Sequence, residues 1–356
     1  MKIAIVAPML VPVPPENAGG ISVIVNELSL GLANKKNEVT LFCATGSKIK
    51  HKRITVVETS PYPTMEYLSE NRMWELRQFL TILSRQNEFD IIHFHYEPII
   101  FRFIFEETDI NILDFFTVPI AFTFHNPTDL PNNIAYYSKT PSLYRHSAVF
   151  VSNNQKKPLA FFPNSQVIYN AMKTDKFPLE KDKGNYLLFL GRLTSSKGVL
   201  EAIAVAKKTK IKLVIIAKVE PNDREFYNSE VKQRIDGELI CHLDGNVVTF
   251  EEKVKYLKNA RCLLFPILWE EPFGLVMIEA LACGTPVIAF RRGSVPEIIQ
   301  DGVNGFIVDN VDEMAEAVEK IKQISPANCR SSVIKRFSVE RMVNEYEDLF
   351  KKIASR

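Results

Sequence analysis

Short, almost wholly apolar runs alternate with helical patterns along the 356-residue chain, and this feature restricts the fold most. A strand without polar alternation has to be covered on both faces. Crossover helices give a parallel sheet that cover. The runs fall into two series. The first holds IAIVAP (3–8), EVTLFC (38–43), DIIHFH (90–95), VPIAFTFH (118–125), AVFVS (148–152) and QVIYN (166–170). Helical patterns lie among them at 21–32 and at about 66–85. The second series holds YLLFLG (186–191), KLVIIA (212–217), RCLLFP (261–266), TPVIAF (285–290) and GFIVD (305–309). Helical patterns near 199–208, 223–235, 251–259, 274–283 and 311–324 separate these runs. The polar stretch 172–185 reads as a linker. A last amphipathic helix over 337–353 has Ser338 as N-cap and Arg341 at N3. The expectation is an α/β chain with two doubly wound sheets. Strand carboxyl ends are the natural binding crevices, and two domains facing each other would make one cleft.

Composition excludes several classes. With 44 basic and 42 acidic side chains the net charge is +2, which gives no global footprint for nucleic acid. No apolar run reaches the ~18–20 residues that span a bilayer. Five cysteines without a C-x-x-C pair make neither a disulfide framework nor a zinc site and suit a reducing compartment. Residues 1–10 read as a buried strand rather than a leader, so a cytoplasmic protein is expected.

Four constellations can carry chemistry. In PENAGGI (15–21), Gly19 and Gly20 remove side chains where a helix starts, so amides can approach an anion. A plain tight turn is the alternative, and the G-x-G-x-x-G fingerprint of dinucleotide binding is absent. In LGRLTSSKG (190–198), Arg192 stands at a strand end and Lys197 five residues on, before a helix. Two cations and a helix N-terminus suit a diphosphate; solvated surface charges are the alternative. In WEEPFGLVMIEALACGTPV (269–287), Glu271 precedes a helix that carries Glu279 among apolar residues. A carboxylate there needs a partner: either the vicinal hydroxyls of a ribose, or an internal Arg or Lys. Last, His125 ends a strand before Asn126-Pro127, and His93 and His95 form an H-x-H pair without a third metal ligand at sensible spacing. Packing or hydrogen bonding is favoured for that pair.

No Asp-x-Asp is present to hold a diphosphate through a divalent ion, so no metal site is expected. Ser294-Val-Pro-Glu297 reads as a capping box. KIKHKR (48–53) reads as a solvated turn, and the Phe-rich 94–124 stretch as core.

Taken together, these stretches resemble the family-4 retaining glycosyltransferases of the GT-B fold, also called glycosyl transferases group 1. Glu271-Pro-Phe-Gly-Leu-Val-Met-Ile-Glu279 is similar to the family's E-x7-E element, and GRLTSSKG to its G-R-L-x-x-x-K-G segment. Asn17-Ala-Gly-Gly-Ile21 is similar to its Gly-Gly loop. VIYNA (167–171) is similar to its V-I-x-N-G, with Ala171 in place of Gly, and GSVPEIIQDGVNGFIV (293–308) to its tail. The resemblance implies a Rossmann-like acceptor-side domain over 1–171 and a Rossmann-like nucleotide-sugar domain over 172–336. It implies a helix over 337–356 that packs back on the first domain.

The resemblance also implies roles. Arg192 and Lys197 would hold the donor diphosphate. Glu279 would bind the ribose. Glu271 would bind the donor sugar beside the amides of Phe273, Gly274 and Leu275. Gly19 and Gly20 would line the phosphates, and His125 would touch the transferred sugar as a hydrogen-bond partner. The implied reaction is metal-independent transfer, with retention, from a nucleotide sugar that serves as co-substrate. UDP is the expected nucleotide, and no cofactor is expected. The acceptor is open: a glycan, lipid, protein or small molecule. KIKHKR and the Phe-rich stretch suggest peripheral membrane contact. The alternatives are a GT-B sugar-nucleotide epimerase or phosphorylase, and a non-catalytic nucleotide-sugar-binding subunit. A two-lobed extracellular sugar-binding protein would need a leader.

Overall fold

The computed structural model describes residues 1–15, 19–60, 71–97, 102–105, 108–245 and 248–355. The chain divides into two compact units, Met1–Ala171 with Val339–Arg356, and Met172–Ser338. The strands of the first unit are β1 (Lys2–Val6), β2 (Glu38–Ala44), β3 (Ile54–Ser60), β4 (Ile91–Phe94), β5 (Arg102–Phe105), β6 (Thr108–Asn111), β7 (Ile120–Phe124), β8 (Ser147–Phe150) and β9 (Ser165–Val167). Seven of them form a parallel sheet in the order β3-β2-β1-β4-β7-β8-β9, while β5 and β6 pair antiparallel by themselves. In the second unit β10 (Tyr186–Arg192), β11 (Lys212–Lys218), β12 (Ile240–Asp244), β13 (Cys262–Phe265), β14 (Val287–Phe290) and β15 (Gly305–Val308) form a parallel sheet. Its order is β12-β11-β10-β13-β14-β15.

In each sheet the strand order reverses beside the first strand of its series, between β1 and β4 and between β10 and β13. Crossovers there leave in opposite directions and open a crevice at the carboxyl ends of the two strands. This is the α/β, doubly wound class expected from the apolar runs. β3 and β12 were not expected. Each is an edge strand of mixed polarity, ITVVETS and ICHLD, so neither carries a continuous apolar run.

The phenylalanines largely fill the first unit's core. Phe94, Phe116, Phe122 and Phe124 are buried, and Phe124 stacks on Phe150 with ring centres 4.8 Å apart. Phe115 is exposed. Phe101 and the side chains of Phe103 and Phe105 lie outside the described residues, as do Asn17 and Ala18 of the Gly-Gly loop and 66–70 of the expected 66–85 helix. The remainder of that helix runs Asn71–Ser84.

The last helix, Val339–Ala354, belongs to the first unit. Gly31 makes room for it: a Cβ there would lie 2.2 Å from Val343 Cγ2. Lys35, Asn37 and Lys351 converge on Glu347 at 2.9–3.0 Å. Burial opposes ionisation of Glu347, but these hydrogen bonds override it and bring the carboxyl down to about 2.

One local expectation is corrected and two gain detail. The 172–185 stretch, expected as a linker, is tied to the second unit. Lys183 Nζ donates to the carbonyls of Lys258 and Cys283 and to Thr285 Oγ1 at 2.8–3.0 Å. The expected helical segment near 223–235 is present but irregular, running as an α turn Arg224–Phe226, a π turn Tyr227–Val231 and a 3-10 turn Lys232–Arg234. The capping box at Ser294 does not form: Ser294 has helical rather than extended backbone angles, φ −77 and ψ −4, and the Glu297 amide donates to its backbone carbonyl, while its hydroxyl donates to the Phe273 carbonyl. A capping box does form at Thr249 and Glu252, at the start of the Phe250–Asn259 helix.

Candidate active site

Each unit carries its candidate residues at the carboxyl ends of its central strands. In the second unit Arg192 ends β10, and its guanidinium lies 3.0 Å from Asp223 Oδ2. Lys197 follows in a short turn over Ser195–Lys197. Its ammonium is 2.5 Å from Glu271 Oε2 and 4.4 Å above the Trp269 indole. The indole Nε1 donates to the same carboxylate oxygen at 2.9 Å. A cation, a carboxylate and an aromatic face therefore share one spot.

Two glycines make this possible. Gly198 has φ +76, and a Cβ would lie 1.8 Å from the Pro266 carbonyl oxygen, so the Lys197 turn can press against the segment after β13. Leu268 N donates to Ser196 O at 2.8 Å along the same contact. Gly293, with φ +53, lies against the Glu271 backbone, where a Cβ would be 2.3 Å from the Glu271 nitrogen. The Gly293 amide donates to Glu270 Oε2 at 3.0 Å and Ser294 N to Glu271 O at 3.0 Å. The 293–294 segment thus pins the loop that carries Glu271.

Phe273 is buried and meets Phe337 edge to face at 5.6 Å. Gly274 is the N-cap of the Leu275–Ala282 helix, whose first amides have no intrahelical acceptor. Glu279, on that helix, is half-buried rather than enclosed. It pairs with Lys253 Nζ at 2.9 Å, and that lysine also sits 5.2 Å over the Phe250 ring. An internal lysine, one of the two partners expected for Glu279, is therefore present.

In the first unit Gly20 opens the Gly20–Asn34 helix and Gly19 is its N-cap. A Cβ on Gly19 would lie 2.9 Å from Val11 Cγ1. His125 follows β7, and its Nε2 is 2.9 Å from His95 Nδ1. His93 Nε2 is 2.8 Å from Thr123 Oγ1, which is 3.0 Å from the Tyr346 hydroxyl. The H-x-H pair thus serves hydrogen bonding and packing. Burial lowers His93 and His125 to about 3 and holds His95 well below the usual imidazole range, so all three are neutral at pH 7. Glu97 Oε1 accepts from His125 N, Asn126 N and Asn126 Nδ2 at 2.9–3.0 Å, which fixes the turn after β7.

Comparison with known proteins gives the family and the fold. Residues 18–176 match the family described as Glycosyltransferase Family 4, and residues 171–335 match Glycosyl transferases group 1. The chain belongs to the group 1, family 4 glycosyltransferases. An N-acetyl-alpha-D-glucosaminyl L-malate synthase from Bacillus anthracis is 24% identical, over 94% of both chains. The sucrose-phosphate synthase of Thermosynechococcus elongatus superposes with a TM-score of 0.78 at 18% identity, covering 100% of each chain. Anabaena HepE, solved in complex with UDP and glucose, gives 0.74 at 15% identity, covering 99% of this chain and 100% of its own. The fold is GT-B.

Several site neighbours of this glycosyltransferase escape sequence reasoning. Asp223, Lys253 and Trp269 each hold a candidate residue, yet Asp223 and Lys253 lie 31 and 26 residues from the side chains they pair with. Only Trp269 carried a local signal, as an aromatic two residues before Glu271. Glu97, in the HYEP run after β4, gave none. The Gly198 contact is directly testable. Gly198→Ala is expected to lower stability by at least about 2 kcal/mol, because the Cβ meets a backbone oxygen and the φ is left-handed. A urea midpoint unchanged from the parent protein would contradict the geometry.

Proposed function

We propose that this glycosyltransferase moves a hexosyl group from a UDP-sugar to an acceptor with retention of configuration and without a metal ion. The observation that carries the reading is the Lys197 ammonium, fixed by Glu271 and Trp269 beside the helix that starts at Leu275. A sugar leaving a nucleoside diphosphate gains oxocarbenium character while the diphosphate gains negative charge. Lys197 and Arg192, with the amides of Phe273, Gly274 and Leu275, supply preorganised positive charge for it. In the first unit, Gly19 and Gly20 leave the amides at the start of the Gly20–Asn34 helix open to a phosphate. Glu271 takes sugar hydroxyls and Glu279 the ribose. His125 is neutral, so it contacts the sugar as a hydrogen-bond partner and not as a charged acid. The acceptor attacks the face that the diphosphate leaves, and a phosphate oxygen takes its proton.

UDP is supported by HepE, whose structure holds UDP and glucose. Among the described residues no helix is long and apolar enough to cross a membrane. A cytoplasmic location, with peripheral contact to an anionic leaflet through the exposed Lys48, Lys50 and Lys52, belongs to the same reading.

A panel of nucleotide sugars, read by nucleotide release with and without candidate acceptors, tests the reaction. One UDP-sugar is expected to turn over faster with acceptor, to survive excess EDTA, and to give a product of unchanged anomeric configuration by NMR. Loss of activity on chelation, restored by Mg²⁺ or Mn²⁺, would overturn the metal-free mechanism. Glu279→Gln is expected to weaken nucleotide binding by roughly 1–3 kcal/mol, the scale of a charge-assisted hydrogen bond. A 2′-deoxy donor should lose less on the same substitution. Equal losses would make Glu279 a structural partner of Lys253 only.

A further inference from the structure

His95 and His125 share one proton across their 2.9 Å contact, and the surroundings of His95 decide which ring holds it. The two rings are nearly coplanar, at 15°, with centres 5.2 Å apart, a separation that places both nitrogens on the line between the centres. The other nitrogen of His95, Nε2, is buried and has no hydrogen-bond partner. A neutral imidazole carries its proton on one nitrogen. A proton on Nε2 would leave a buried N–H without an acceptor, and orphaned buried donors are rarer than under-used acceptors. The proton of His95 therefore belongs on Nδ1.

His93 obeys the same logic. Its Nδ1 is buried without a partner, so its proton sits on Nε2 and is donated to Thr123 Oγ1. The His93 ring packs 4.3 Å from His95 and about 5 Å from Tyr346 and Phe350 of the last helix, so the ring that lies on His95 is itself held by packed rings.

We propose that His95 is a positioning residue that donates from Nδ1 to His125 Nε2, and so fixes His125 as the tautomer with its proton on Nδ1. The second nitrogen of His125 then presents a donor. The role for that donor rests on the reading that His125 meets the transferred sugar: the sugar oxygen it contacts must accept a hydrogen bond. The burial that keeps all three rings neutral prevents a second proton from blurring the choice.

The first test does not depend on activity. Nitrogen-15 labelling of histidine, read by long-range proton–nitrogen correlation NMR and assigned with His125→Gln, reports which nitrogen of His125 is protonated in the nucleotide-free protein. Protonated Nδ1 is expected; a proton on His125 Nε2 overturns the proposal whether or not sugar transfer is found. The second test uses two variants. His95→Asn keeps an amide donor in the place of Nδ1–H, and His95→Leu removes it. The Asn variant should keep the His125 tautomer and at least half of kcat. The Leu variant should lose at least tenfold in kcat with UDP affinity unchanged within twofold. Equal kcat losses in the two variants would overturn the positioning role. If no nucleotide sugar turns over, the reading of the function fails while the tautomer stands on the spectrum alone.

Discussion

Lys197→Ala is expected to lower turnover at least about a hundredfold while the protein stays folded, the scale seen when one transition-state charge contact is lost. The ammonium does not wander in solvent before the donor arrives. Glu271 holds it at 2.5 Å and the Trp269 ring covers it, so little reorganisation is left for the moment when the diphosphate departs. Without Lys197, Glu271 keeps only the indole N–H of these two partners, and its negative charge faces the diphosphate uncompensated. Lys197→Arg should restore only part of the rate, because a planar fork does not reproduce a point charge seated on an indole. Arg192→Ala should also fall by about a hundredfold. The two tryptophans, Trp74 and Trp269, allow a parallel check. Fluorescence of the parent protein should change on UDP binding and change less in Lys197→Ala. Near-normal turnover in a folded Lys197→Ala protein would remove the lysine from the mechanism.

The layout of this enzyme was legible wherever burial was two-sided. Strands such as IAIVAP and KLVIIA can occupy only the middle of a covered sheet, and their order in the chain implied two sheets. Two edge strands were not legible: ITVVETS and ICHLD have one unpaired side and mixed composition, whereas the edge strands at QVIYN and GFIVD kept enough apolar residues to be read. Candidate residues at strand ends could be found because a motif stays local in sequence. Their partners could not. Glu279 showed that a carboxylate among apolar neighbours needs company, but the choice between ribose and lysine depends on where the Phe250–Asn259 helix lies. Ser294 shows the converse. Its spacing to Glu297 fits a capping box, yet its backbone is already helical, so the Glu297 amide bonds the Ser294 carbonyl rather than the hydroxyl. His95 and His125 lie 30 residues apart, and only the pairing of neighbouring strands β4 and β7 explains why their rings meet.

Acidification from pH 7 to pH 5 is expected to destabilise the protein by a few kcal/mol, well before most carboxylates titrate. The cause is the set of buried imidazoles. Burial lowers His93 and His125 to about 3, and burial with the nearby Arg145 charge lowers His146 to about 4. In the unfolded chain each returns to an ordinary value near 6.5. Between the folded and unfolded values the unfolded chain binds more protons, so stability rises with pH there and falls as pH drops. The stabilisation is complete above about 6.5 and is lost progressively toward 3–4. Each imidazole contributes up to about 1.4 kcal/mol for each pH unit inside that window. Glu347, brought down to about 2, adds a loss of the same sign only below about 4.5. Urea midpoints at pH 7.5, 6.5, 5.5 and 5.0 measure the slope. His146→Gln removes one titrating ring away from the His93–His95–His125 array and should flatten the slope without abolishing it. A midpoint that stays level from pH 7.5 to 5.0 would mean that these rings are protonated in the folded protein, and the neutral histidine array would have to be abandoned.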